Sequence, residues 1–283
     1  MTPGEVEKAV AKAGGVDRKT VRLAIKDLVS LGELTYTYLY GASFLEKSFD
    51  RPVRVSKRIV IKPPDKAYQP QAGEVVVNIA GGAAFGSGAH PSTRLALRPL
   101  DDTLASVHPE MHQTPSHWMG EGWGGGEGGP VSGRALPNDP CLKSGSALTA
   151  LDVGTGTGIL AIALAKLGVQ KVVGIDIDPC AVSEATHNVS LNGLAEQVTI
   201  TNTRLEELTT CFSVIVANLT YPTLMRLSPL LSKKMEQDGL LILSGFISMP
   251  WSKDLGEAYT EHGLRLIQEE TEREWVCLVL RKP

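Results

Sequence analysis

Residues 151–179, LDVGTGTGILAIALAKLGVQKVVGIDIDP, constrain the fold more than any other stretch of this chain. They read as strand, glycine loop, helix, strand and acidic tip, one βαβ unit, which sets two strands parallel with a helix crossing between them. Gly154, Gly156 and Gly158 stand at alternate positions, so the backbone can turn sharply and come close to a ligand. The helix that follows aims its free N–H groups at whatever sits in that turn. Asp176 ends the second strand, 22 residues after Gly154, where a carboxylate can accept two ribose hydroxyls. The unit therefore predicts a site for a nucleoside-containing cofactor.

Charge narrows the cofactor. A dinucleotide loop reads G-x-G-x-x-G, and the position of its third glycine is Ile159 here. Asp152 stands just before the loop, where its charge repels a pyrophosphate and suits a cation. S-adenosylmethionine brings a sulfonium and an ammonium, together with a carboxylate for the helix N-terminus. It is the expected cofactor, ahead of a nicotinamide nucleotide.

The remainder of the chain divides by charge. Residues 1–62 carry 12 Lys/Arg against 7 Asp/Glu, and residues 63–283 carry 16 against 24, which suggests two modules with different electrostatic tasks. The four cysteines are far apart and include no C-x-x-C pair, so neither a zinc site nor a disulfide framework is expected. No apolar run reaches membrane-spanning length and no signal peptide is legible, so a soluble cytoplasmic protein is the expectation. Two helical segments and the stretch GELTYTYLYGASFLEKS give helix, turn, helix and ribbon over residues 1–50, the order of a winged-helix-like α+β module. Arg18, Lys19, Arg22 and Lys26 make its second helix basic on one face. That face is either solvated or in contact with nucleic acid. Residues 51–64 and 74–80 alternate with β-branched residues and are expected to form a connecting β-hairpin over 51–80.

Residues 81–283 are then expected to form a doubly wound α/β domain, interrupted at about 103–147 by a Gly/Pro-rich insertion without usable periodicity. His108, His112 and His117 fall in that insertion as loop histidines, and no metal site is expected. From 148 onward, strands are expected at 148–153, 171–176, 197–201, 212–217, 239–244, 264–269 and 274–280. Helices are expected at 158–168, 179–192, 222–236 and 251–262. The last two strands lie too close for a crossover and must pair as an antiparallel hairpin.

Two further segments bear on the site. VIVANLTYP puts Asn218 at a strand end beside the glycine turn, where its amide could orient an incoming amine or simply cap the helix from Pro222. Tyr221 has packing as its expected role. AFGSGAHPSTR is either a spacer or a lid, with Phe85, Gly86 and His90 in the loop and Thr93 in the first turn of the next helix.

The blocks AFGSGAHPSTRLAL, LDVGTGTGILAIALAKLG, VVGIDIDPCAV, the Asn-Gly of SLNGL, IVANL, LLILSGFI and EREWVCLVL occur in this order. Together they resemble the PrmA family, whose members methylate a stalk-base protein of the large ribosomal subunit on lysine and N-terminal amines. The resemblance covers about residues 75–281 outside the insertion. It implies a class I S-adenosylmethionine-dependent methyltransferase fold, Rossmann-like with a terminal antiparallel hairpin. It implies that Thr93, Gly154, Asp176 and Asn218 bind S-adenosyl-L-methionine and that Phe85, Gly86 and His90 belong to a loop closing over it. Asp152, Gly156 and Gly158 complete the expected cofactor set, and Asn218 is the expected catalytic residue. A protein substrate of ribosomal origin is the expected partner, with nucleic-acid contact through the basic N-terminal helix held open. Two other readings are an RNA or DNA N-methyltransferase, prompted by the loose likeness of Asn218–Tyr221 to an N-P-P-Y motif, and a non-catalytic S-adenosylmethionine sensor. The winged-helix-like start and the insertion depart from the family pattern.

Overall fold

The computed structural model describes residues 1–39, 42–82, 84–86, 88, 90–107, 147–248 and 250–283. α1 (Pro3–Gly14) begins in a capping box, with Glu5 N donating to Thr2 Oγ1 and Thr2 N to the Glu5 carboxylate. α2 (Arg18–Ser30) starts at Asp17, whose carboxylate accepts from Lys19 N at 2.8 Å and Thr20 N at 3.0 Å. β1 (Leu34–Leu39) and β2 (Ala42–Lys47) pair antiparallel, and Val21, Ile25 and Leu45 form a small core between helices and ribbon. The basic face of α2 is smaller than its sequence implies. Arg22 Nε reaches the buried Glu7 at 2.8 Å and Arg18 Nη2 reaches it at 3.4 Å.

β3 (Val53–Arg54), β4 (Ile59–Lys62) and β5 (Val75–Asn78) make a separate three-stranded sheet. The expected hairpin between 51–64 and 74–80 is corrected. β4 pairs antiparallel with β3 but parallel with β5. Alternation of β-branched residues says that strands exist, not which way they run, and the connector between β4 and β5 is long enough for a crossover. The positive excess of the first 62 residues is also relocated. Residues 1–50 carry seven charges of each sign, and residues 51–62 carry five cations and no acid. Arg51 pairs with Glu33, Arg54 with Glu74, Lys57 with Asp102 and Arg58 with Asp101, while Lys62 Nζ donates to the Pro63 and Pro64 carbonyls. Arg51, Lys57 and Arg58 thus tie the small sheet to its surroundings, while Arg54 and Lys62 act within it.

Asp101 and Asp102 lie on α3 (Pro91–Val107). The helix runs five residues into the region expected to be insertion, because buried Leu97, Leu100 and Leu104 keep one apolar stripe. His108, His112 and His117 lie outside the described residues.

The rest is one seven-stranded sheet. In chain order it comprises β6 (Thr149–Val153), α4 (Ile159–Lys166), β7 (Lys171–Ile175), α5 (Pro179–Leu191), β8 (Val198–Thr201), β9 (Phe212–Asn218), α6 (Tyr221–Lys233), β10 (Met235–Ile247), α7 (Trp251–Glu261), β11 (Arg265–Glu272) and β12 (Trp275–Arg281). The strand order is β11-β12-β10-β9-β6-β7-β8, with β12 antiparallel to both neighbours and the remaining pairs parallel. The terminal hairpin is therefore present. One boundary moves. The helix expected over 222–236 stops at Lys233, since fully buried Met235 already pairs with Phe212 as the start of β10. Apolar clusters cover both faces of the sheet, as a parallel sheet requires. β6, β7 and β9 end on the same side, and the glycine loop lies there.

Cys180 and Cys277 are free thiols, whereas Cys211 is disulfide-bonded, against expectation, because spacing along the chain does not fix proximity in space. Among the described residues no helix is long and apolar enough to cross a membrane.

Candidate active site

The glycine loop joins β6 to α4. Gly154, Gly156 and Gly158 all have positive φ, at 73°, 55° and 82°. Close approach adds a second demand. A Cβ on Gly154 would collide with the Leu219 side chain, and one on Gly156 with the Phe85 carbonyl. α4 is buried from Ile159 to Ala165, and its N-cap residue, Gly158, has no side chain to cap it. Asp152 serves the helix start from beneath. Its Oδ2 accepts from Thr155 Oγ1 at 2.7 Å and from Ala161 N at 3.1 Å, while Oδ1 is buried without a partner. Burial pushes this carboxyl up to about 7; the two hydrogen bonds oppose the shift and the nearby Asp176 charge adds to it.

Asp176, just past β7, turns back toward the loop. Oδ2 accepts from Gly156 N at 2.9 Å and Oδ1 from Asp178 N at 3.0 Å. A carboxylate has lone pairs to spare beyond these two bonds. Ile177, next to it, is 90% exposed, an apolar surface left open beside the acid.

β9 and α3 bring the second half of the site. Asn218 Nδ2 donates to Thr93 Oγ1 at 3.3 Å, and Thr93 is fully buried. Asn218 Oδ1 is buried with no partner. Space for it depends on Gly245 in β10, where φ is 95° and an added Cβ would stand 2.8 Å from Asn218 Oδ1. The loop before α3 reaches the glycine loop directly. Thr157 N donates to Phe85 O at 3.0 Å and Thr157 Oγ1 to Gly86 O at 2.7 Å. The His90 ring is 5.2 Å from Phe85 and 4.4 Å from Trp275, edge-on to both. Phe85, Gly86, His90, Thr93, Asp152, Gly154, Gly156, Gly158, Asp176 and Asn218 are thus brought to one end of the sheet. Tyr221 lies beside it, 4.4 Å from the Trp251 ring.

The sequence profile of the family described as "Ribosomal protein L11 methyltransferase (PrmA)" matches residues 44–283. The chain belongs to the PrmA family. The "Ribosomal protein L11 methyltransferase" of Geobacter sp. (strain M21) is 36% identical over 233 residues, covering 82% of this chain and 64% of that protein. That of Heliobacterium modesticaldum is 32% identical over 237 residues, covering 83% of this chain and 62% of that protein. This PrmA-family chain therefore spans slightly under two thirds of the length of these curated relatives. A crystal structure of the ribosomal protein L11 methylase of Lactobacillus delbrueckii subsp. bulgaricus superposes with a TM-score of 0.62 at 27% identity, over 82% of this chain and all of that one. The fold is that of class I S-adenosylmethionine-dependent methyltransferases. Residues 1–43 lie outside the family match.

Several residues of this PrmA-family site escape a reading of spacing alone. Trp275 and Gly245 sit in blocks the sequence makes recognisable, EREWVCLVL and LLILSGFI, yet nothing in those blocks says that they face His90 and Asn218. Ile177 had a signal, an apolar residue directly after the acid at the strand end. Thr157 was visible only as filler between two glycines.

Proposed function

We propose that this chain is an S-adenosylmethionine-dependent protein N-methyltransferase, acting in the cytoplasm on lysine or N-terminal amines of a large-subunit ribosomal protein. The carrying observation is the unpartnered buried oxygen of Asn218, held beside Thr93 and the glycine loop. A buried acceptor left empty costs about 1–3 kcal/mol, so its presence at a strand end favours a hydrogen-bond donor as its natural occupant.

The residues also fit the cofactor. The glycine loop is a cradle that any Cβ would fill, the start of α4 offers free N–H groups to a carboxylate, and Asp152 Oδ1 offers a negative oxygen to a cation. Asp176 would hold the ribose hydroxyls, and Ile177 would supply an apolar face for the base. When bound, S-adenosylmethionine supplies an electrophilic methyl group on a sulfonium. The chain's task is to bring a neutral amine in line with it. A lysine ammonium, with a free pKa of about 10.4, gives its proton to water on entering a site that disfavours the charged form. Asn218 Oδ1 then accepts an N–H of the amine and turns its lone pair toward the methyl. Thr93 fixes the amide so that Oδ1, and not the NH2 group, faces the substrate.

Labelled S-adenosylmethionine, incubated with the chain and large ribosomal subunits, should place label that protease removes and RNase does not. RNase-sensitive label would mean a nucleic-acid methyltransferase, and no label would mean a sensor. Asn218→Ala should lower turnover by roughly 100-fold with the fold retained. Near-normal turnover in that variant would remove Asn218 from the chemistry.

A further inference from the structure

A polar network beside the site takes no part in the proposed chemistry. α5 and its C-cap present Glu184, Asn188 and Asn192 at four-residue intervals, on one face. Each holds backbone between β5 and Phe85. Asn192 accepts from Asn78 N at 3.0 Å and donates to Asn78 O at 2.7 Å. Asn188 Oδ1 accepts from Ala80 N at 3.0 Å. Glu184 Oε2 accepts from Ala84 N at 2.9 Å, and a Cβ on Gly82 would collide with that carboxylate.

Asn188 has a second partner across the site. Its Nδ2 donates to the Thr157 carbonyl, in the glycine loop, at 2.9 Å. Thr157 in turn gives its N–H to Phe85 O and its hydroxyl to Gly86 O. Every polar atom of Thr157 is thereby used, two on the Phe85–Gly86 segment and one on the anchor beneath. Asn188 is fully buried and Thr157 is 1% exposed, so water does not replace these bonds when they break. A Cβ on Gly86 would stand 2.9 Å from Thr157 Oγ1, so the glycine is what permits the approach.

We propose that Thr157, anchored by Asn188, is a positioning residue that makes the Phe85–Gly86 segment move with the glycine loop, so that a ligand ordering the loop also orders the segment above it. The proposal rests on the methyl-donor reading given above. It assigns a task to a residue outside the set named above for the cofactor and the amine. The Thr157 backbone N–H holds Phe85 whatever the side chain, whereas only the hydroxyl holds Gly86.

Thr157→Val keeps the shape and removes the hydroxyl; Thr157→Ser restores it. S-adenosylhomocysteine is the probe, with calorimetry for affinity and hydrogen exchange for residues 84–86. In the unaltered chain, probe binding should slow exchange at residues 84–86. Thr157→Val should bind the probe about five- to tenfold more weakly and lose the slowing at Gly86, and Thr157→Ser should recover both. In turnover assays the KM for S-adenosylmethionine should rise by a similar factor with a smaller change in kcat. A purely structural role would instead lower the active fraction at constant KM. Full slowing at Gly86 in Thr157→Val would overturn the coupling alone. Failure of the unaltered chain to bind the probe would overturn the methyl-donor reading and the coupling with it, and that result is visible before any variant is made.

Discussion

Asp152 exposes the site to pH. Its carboxyl stands near 7 in the folded chain, against about 3.9 for an unfolded aspartate. Between those values the folded chain holds a proton that the unfolded chain has released. Stability therefore falls as pH rises from about 4 to about 7. Asp152→Asn keeps an acceptor for Thr155 and Ala161 and cannot ionise, so this part of the decline should vanish. Urea midpoints measured across that range should slope downward for the unaltered chain and less steeply for the variant; parallel curves would mean that burial does not raise this carboxyl. A cation beside Oδ1 favours the charged form, so cofactor binding near neutral pH should release protons. Calorimetry in buffers of different ionisation enthalpy would show it.

At the scale of elements, one buried acid on α3 ties that helix to the small sheet β3–β5, whose apolar residues also join the main core. Asp101 accepts from Ser56 Oγ at 2.7 Å, Arg58 N at 2.9 Å and Arg58 Nε at 2.5 Å, and its own carbonyl accepts from Arg58 Nη2 at 2.8 Å. Arg58 is only 21% exposed, so removing its partner strands a mostly buried cation. Asp101→Ala should cost roughly 2–4 kcal/mol in chemical denaturation. The neighbouring Lys57–Asp102 pair, with Lys57 81% exposed, should show no measurable effect on Lys57→Ala. The same elements show what a sequence conveys. Hydrophobic period gave away the strands and helices from 148 onward, because each buries a regular face. The direction of β5 left no trace, since Val75–Val77 read alike from either end. The tail of α3 was hidden by the Gly/Pro-rich composition that follows it. The glycine loop, Asp176 and Asn218 were legible because local spacing carries their geometry. Trp275 was not, because its place beside His90 depends on the antiparallel return of the final strand.

At the scale of the molecule, the first 50 residues keep mostly to themselves. α1 and α2 pack against one another and against β1–β2, and their core is Val21, Ile25 and Leu45 with a few half-buried neighbours. A core this small tolerates little loss, and Leu→Ala in a core costs about 2–5 kcal/mol. Leu45→Ala should melt this module early while leaving the main transition in place, as seen by scanning calorimetry. One transition moving as a whole would mean that module and sheet fold together.

The cations of residues 51–62 bear on how such a chain could arise. Among the described residues, only Glu33 of their ionic partners belongs to the module ahead, and its pair with Arg51 is 42% exposed on both sides. Glu74, Asp101 and Asp102 all lie downstream. Among the described residues, a cut near residue 50 therefore severs one solvent-screened ion pair and the packing of half-buried Phe49 on the main core, and leaves no buried charge behind. The boundary is a natural splice point, where gene fusion could exchange one leading module for another while the methyl-donor half stays intact.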